Sequence, residues 1–124
     1  MTRRRMLIVD DEPLVHAAVR RVLRHDLDIV EKLSAEDALE DLEDELESGD
    51  FDLVLLDVNM PGVPDGVDFY RRLRQIDPAR APAVIFMTGD PGAARALSDA
   101  TRTKCLEKPF STDELRKAIA EVVA

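Results

Sequence analysis

A chain of 124 residues, 45% apolar and 35% charged, fits one soluble globular domain with one core and is too short for two ordinary domains. Its formal net charge of −9 argues against direct binding of nucleic acid, which needs a basic face for phosphate. No apolar run approaches the roughly 20 residues of a membrane span, no secretory leader is expected, and the single Cys105 excludes an internal disulfide, so a cytoplasmic domain over residues 1–124 is the expectation.

The Arg3-Arg4-Arg5 run is the one basic cluster. It reads as a solvated end, with an anchor to an anionic surface as the sharper alternative. Met6-Leu7-Ile8-Val9 then forms a first apolar strand, closed by Asp10-Asp11-Glu12. Pro13 suits the first turn of a helix, along which Val15, Ala18, Val19, Val22 and Leu23 recur at helical spacing. Residues 28–33 are a weaker strand with charges at Glu31 and Lys32. Ser34 caps a second helix with Ala35, Ala38, Leu39, Leu42 and Leu46 on one face and acids opposite; Gly49 ends it.

Leu53-Val54-Leu55-Leu56 is a strand buried on both faces, and Asp57 follows it directly. Asn59-Met60-Pro61-Gly62 is loop. Phe69, Tyr70, Leu73 and Ile76 mark a third helix, stopped before Pro78. Ala83-Val84-Ile85-Phe86-Met87 is a fourth strand ending at Thr88-Gly89. Asp90-Pro91 caps a short fourth helix with Ala93, Ala94 and Leu97 inward. Residues 103–106 form a short strand ending at Glu107-Lys108-Pro109. Ser111 and Glu114 make a capping box for a last helix carrying Leu115, Ala118, Ile119, Val122 and Val123.

Strand–helix alternation repeated five times predicts an α/β fold: a parallel sheet with helices on both faces. The solidly apolar strands one, three and four belong in the middle and the charged strands two and five at the edges. The expected order is the doubly wound 2-1-3-4-5, flavodoxin-like, with its switch point beside strand one.

All carboxyl ends of a parallel sheet share one edge. Asp10, Asp11, Asp57, Thr88 and Lys108 therefore converge on one crevice. Clustered carboxylates need a cation, and all-oxygen ligands favour a hard ion, Mg²⁺. Lys108 supplies positive charge for a phosphoryl oxygen and Thr88 a hydroxyl. These parts suit phosphoryl transfer onto Asp57 as nucleophile. Taken singly, the acids could be first-turn helix stabilisers, Asp57 a loop cap, Thr88 a turn residue and Lys108 a surface lysine. Their coincidence at four strand ends favours a functional cleft.

At these residues the sequence resembles the response-regulator receiver domains of two-component signalling, the CheY-like family, over nearly its whole length. Leu7-Ile8-Val9-Asp10-Asp11-Glu12-Pro13 is similar to the family's acidic pair. Leu55-Leu56-Asp57-Val58-Asn59-Met60-Pro61-Gly62 is similar to its phosphoacceptor motif, and Phe86-Met87-Thr88-Gly89 and Glu107-Lys108-Pro109-Phe110 to its threonine and lysine-proline motifs. The resemblance implies that Asp57 accepts phosphate from a sensor histidine kinase or a histidine phosphotransfer domain. It implies that Asp10, Asp11, Asp57 and the Asn59 carbonyl surround Mg²⁺, that Thr88 and Lys108 stabilise the phosphoryl group and switch the domain, and that Lys108-Pro109 is cis. Such a protein is not an enzyme beyond accepting and losing its own phosphoryl group. Its further partners would be a second copy or an output partner. The runs 86–90 and 105–110 are similar to receivers of hybrid sensor kinases; a stand-alone regulator or part of a larger one fits equally.

Three departures from the family pattern stand out. The loop at Val63-Pro64-Asp65-Gly66 is one residue longer, the stretch between Thr88 and Lys108 is short, and Cys105 stands where an aromatic switch residue is usual. Cys105 reads as a small buried edge-strand residue, with a redox role as the alternative. Asn59 and Asp90, each two residues beyond Asp57 and Thr88, are expected to flank the phosphoryl group and tune dephosphorylation. His16 and His25 have no ligand spacing and read as surface or capping residues. A haloacid-dehalogenase-type phosphatase would need Asp-x-Asp after strand one, which Asp10-Asp11-Glu12 lacks, and a flavin module a phosphate loop free of acids.

Overall fold

The computed structural model describes residues 4–123. Its elements run β1 (Arg5–Val9), α1 (Pro13–Leu23), β2 (Asp28–Lys32), α2 (Ala35–Ser48), β3 (Leu53–Asp57), α3 (Gly66–Leu73), β4 (Ala83–Thr88), α4 (Pro91–Thr101), β5 (Lys104–Glu107) and α5 (Thr112–Val123). The strands form one parallel sheet in the order β2-β1-β3-β4-β5, as strand composition predicts.

Alternation along each strand divides the core into two layers. Met6, Ile8, Leu53, Leu55, Ile85, Met87 and Leu106 face α1 and α5, packing on Val19, Leu23, Leu115, Ala118 and Ile119. Leu7, Val9, Val54, Leu56 and Phe86 face the other way, onto Ala38, Leu42 and Leu46 of α2 and Phe69 and Leu73 of α3. Burial of both strand faces at β1, β3 and β4 is what anchors the strand ends that carry the polar residues.

Caps stop and start the helices as their residues dictate. Ser34 Oγ accepts from the Asp37 N–H at 3.0 Å, and Gly49 closes α2 in the left-handed region at φ 81°. Asp90 Oδ1 accepts from the N–H groups of Gly92 and Ala93, and Ser111 and Glu114 form the reciprocal box. A further box went unread in the sequence. Asp65 accepts from the Asp68 N–H at 3.0 Å while Asp68 accepts from the Asp65 N–H at 2.9 Å, an Asp-x-x-Asp version of the usual pattern.

Four expectations need correction. The fourth helix is not short: α4 runs eleven residues, because the Asp90-Pro91 start is followed by a helix-forming Ala-rich run that continues to Thr101. Ala18 is exposed, whereas His16 takes the buried place on α1, three residues before Val19. Arg4 is exposed, as a solvated end requires, but Arg5 is not. Arg5 lies in β1, with its guanidinium 4.7 Å from the Phe51 ring and 3.8 Å from Glu45, and Arg4 donates to the Val123 carbonyl at 2.5 Å. Arg3 lies outside the described residues. Ile76 is buried beyond the end of α3 rather than on it.

Candidate functional site

The register of the sheet brings the acids together. Val9 pairs with Leu56, so Asp10 and Asp57 leave neighbouring strands at the same level. Met87 pairs with Asp57, which sets Thr88 one step further out, and the Lys108 N–H donates to the Thr88 carbonyl at 2.8 Å. Asp10, Asp57 and Thr88 are buried; Asp11 and Glu12 are exposed at the rim.

Asp10 and Asp57 are held alike. Asp10 Oδ1 accepts from the Glu12 N–H and Asp57 Oδ1 from the Asn59 N–H, both at 2.8 Å. These two local turns aim the remaining oxygens at one point. There Lys108 Nζ lies 2.8 Å from Asp10 Oδ2, 3.2 Å from Asp57 Oδ2 and 3.1 Å from Glu12 Oε1. Burial raises the pKa of the Asp57 carboxyl above the usual carboxylate range; the Asn59 N–H and Lys108 oppose this, and the charge of Asp10 adds to it. Lys108 is pulled down by burial, yet its contacts with Asp10 and Glu12 and the charges of Asp57 and Asp10 carry its pKa above the ordinary lysine value.

The acids pass a simple test of fit for a cation. Asp10, Asp11, Glu12 and Asp57 each offer an oxygen, all within 4.8 Å of one another. One ammonium faces this group, so negative charge remains, and an all-oxygen donor set suits a hard divalent ion such as Mg²⁺. Glu12 is the member that the sequence reading did not place in the site; its signal was its position beside Asp11.

Thr88 donates its hydroxyl hydrogen to Asn59 Oδ1 and accepts from the Asp90 N–H at 3.1 Å. Asn59 thus bridges the Asp57 turn and the β4 end. Asp90 stands at the rim, with Oδ1 engaged in capping α4. Cys105 does not join the cleft. It pairs in register with Phe86 and packs on the α2–α3 side of the sheet. Phe86 meets the Tyr70 ring edge-on, with centroids 4.9 Å apart. Burial, then the charge of Glu107, pushes the Cys105 thiol up to about 11. The peptide Lys108-Pro109 is cis as expected, and so is Val63-Pro64 in the longer loop.

These side chains floor a cleft of about 740 Å³ whose outer wall is apolar: Leu14, Val15, Ala18, Pro109 and Phe110. Leu14 is 83% exposed beside it. The sequence offered no sign of this wall, since Leu14 breaks the buried spacing of α1. Among the described residues, no helix is long and apolar enough to cross a membrane.

The sequence profile described as response regulator receiver domain matches residues 6–120. RpfG of Xanthomonas campestris pv. campestris (strain 8004), named a cyclic di-GMP phosphodiesterase response regulator, is 36% identical over 119 residues, covering 90% of this chain and 29% of RpfG. The chain thus spans under a third of that relative's length. Chemotaxis protein CheY-3 of Vibrio cholerae serotype O1 is 29% identical over 120 residues, covering 95% of this chain and 90% of CheY-3. The crystal structure of the receiver domain from the hybrid histidine kinase CckA superposes with a TM-score of 0.74 at 26% identity, covering 97% of this chain and 99% of that one. A profile match that takes in all five strands but for Arg5, and every residue of the acidic cluster, leaves one assignment: the chain belongs to the response regulator receiver domains of two-component signalling.

Proposed function

We propose that the domain accepts a phosphoryl group on Asp57 from a phosphohistidine, carried by a sensor histidine kinase or a histidine phosphotransfer domain. The observation that carries this reading is the pairing of a buried, aimed carboxylate at Asp57 with an acid cluster on one side and the Lys108 ammonium on the other. Asp57 Oδ2 attacks phosphorus, the P–N bond breaks, and the leaving imidazole takes up a proton. Lys108, released from Asp57 Oδ2, meets a phosphoryl oxygen, and Thr88 turns its hydroxyl from Asn59 toward another. Asp10, Asp11, Asp57 and the Asn59 carbonyl would hold Mg²⁺, with Glu12 at the rim. Held there, the ion would supply positive charge for the transferred group.

The apolar wall supports a macromolecular donor: exposed Leu14 with Ala18 and Phe110 suits a helix laid beside the cleft. Similarity to the receiver of a hybrid kinase supports the same donor class. The domain would work in the cytoplasm, where such donors meet it, as a switch that makes and loses its own aspartyl phosphate rather than as an enzyme acting on other substrates. The test is incubation with a small acyl-phosphate donor, and with phosphorylated kinase, with and without Mg²⁺. Mg²⁺-dependent labelling lost in Asp57→Ala is expected; undiminished labelling of that variant would refute the assignment.

A further inference from the structure

His16 is the one buried histidine among the described residues, and the proposed phosphoryl transfer makes no use of it. A residue that only filled the α1 stripe beside Val19 and Leu23 would be served by leucine, because a buried imidazole costs desolvation unless its nitrogens are matched. Here Nε2 is matched, while Nδ1 makes no hydrogen bond. Nε2 lies 2.7 Å from the Asp10 carbonyl oxygen, and Nδ1 lies 3.2 Å from Glu31 Oε1 on β2. A carbonyl only accepts, so Nε2 carries the hydrogen. Glu31 is itself held by Arg20, whose Nη1 reaches its two oxygens at 3.0 and 2.8 Å.

The polar groups of Asp10 are pinned from three directions. Its N–H donates to the Lys32 carbonyl of β2 at 3.1 Å, its carbonyl accepts from His16 of α1, and its Oδ1 accepts from the Glu12 N–H. What is left is Oδ2, aimed at the ammonium and the acid cluster. We propose that His16 is a positioning residue for the acidic site: its Nε2–H fixes the Asp10 carbonyl and with it the direction of the Asp10 carboxylate toward a bound divalent cation. The inference rests on reading the acid cluster as the Mg²⁺ site. It adds a side chain of α1, His16, to the groups that shape the site.

The test is Mg²⁺ titration of the unphosphorylated protein, followed by amide chemical shifts, in wild type, His16→Leu and His16→Gln. Leucine fills the space without a donor, whereas glutamine puts an N–H near the Nε2 position. His16→Leu is expected to bind Mg²⁺ about tenfold more weakly, the low end for loss of a group that orients a metal ligand, with most of the affinity restored in His16→Gln. A second reading needs no variant: the His16 ring nitrogens of wild type should shift saturably with Mg²⁺, while those of exposed His25 stay still. Equal affinity in wild type and His16→Leu, or His16 resonances unmoved at saturation, would overturn the positioning role and leave the Mg²⁺ site standing. Wild type that binds no Mg²⁺ would overturn the site reading and this role with it.

Discussion

Lys108 Nζ lies 0.4 Å nearer to Asp10 Oδ2, at 2.8 Å, than to Asp57 Oδ2, at 3.2 Å. The ammonium is thus the standing counter-charge of a fully buried acid as well as a group poised on the proposed nucleophile. A divalent ion entering the cluster competes with it for the same oxygens. Lys108→Met is therefore expected to tighten Mg²⁺ binding by about tenfold, since one nearby positive charge is removed in a partly screened site. Labelling of Asp57 should fall in the same variant. Calorimetric titration against a phosphodonor assay checks both; unchanged Mg²⁺ affinity would mean that the ammonium and the ion do not compete.

Asp57 makes the folded state sensitive to pH. Burial, together with the charge of Asp10, raises its pKa above 3.8, so between pH 3.8 and the raised value the folded protein binds more protons than the unfolded chain. Stability from this group falls as pH rises through that window and stays low above it. Asp57→Asn is expected to melt at higher temperature than wild type at neutral pH, with the gain vanishing below pH 3.8. Thermal unfolding across pH, without divalent ions, checks the sign. A saturating divalent ion should stabilise wild type and narrow the gap.

Gly66 lets α3 start against the turn that follows Asp57. A Cβ there would sit 2.2 Å from the Asp57 carbonyl oxygen and 2.9 Å from Val58 Cα, both backbone atoms that a rotamer change cannot clear. Gly66→Ala is expected to cost about 1–3 kcal/mol of stability. It should also displace the Asp57 turn, so that Mg²⁺ affinity falls with stability. Denaturant unfolding and metal titration on the same sample would measure both.

Asn59 and Asp90 should separate when the decay of the aspartyl phosphate is timed. The Asn59 amide lies against Thr88, inside the site. The Asp90 carboxylate gives Oδ1 to the start of α4. Asn59→Met is expected to change the decay rate more than Asp90→Leu. The latter should lose about 1 kcal/mol of stability with its cap. Equal effects on decay, at equal stability, would mean that Asp90 orients water as directly as Asn59 does.

Cys105 is expected to limit how far activation spreads. Its side chain is too small to swing a ring into space vacated by Thr88, and its thiol, raised to about 11, stays protonated. With beryllofluoride bound at Asp57, amide shifts should be large around Asp57 and Thr88 and small along β5. Large shifts along β5 and α5 would show that another side chain, such as the Tyr70–Phe86 pair, transmits the change. At about pH 8, alkylation of Cys105 should run about a hundredfold slower than that of an unperturbed thiol.

The sequence by itself determined the architecture, because the governing signals are local. Solid apolar runs at 6–9, 53–56 and 83–87 and charged strands at 28–33 and 103–106 were enough for a parallel sheet in its observed order. Four strand ends facing one edge were enough to gather Asp10, Asp11, Asp57, Thr88 and Lys108. Tertiary structure decided what local pattern does not carry. Whether His16 or Ala18 is buried depends on how α1 rotates against β1 and β2, and the hydrogen bond of His16 to the Asp10 carbonyl offsets the lost hydrophobicity there. Whether Arg5 is a solvated charge depends on Phe51 and Glu45, some forty residues along the chain. The apolar wall of Leu14 and Phe110 exists because α1 and the turn after β5 meet over the sheet edge, a contact between segments nearly a hundred residues apart.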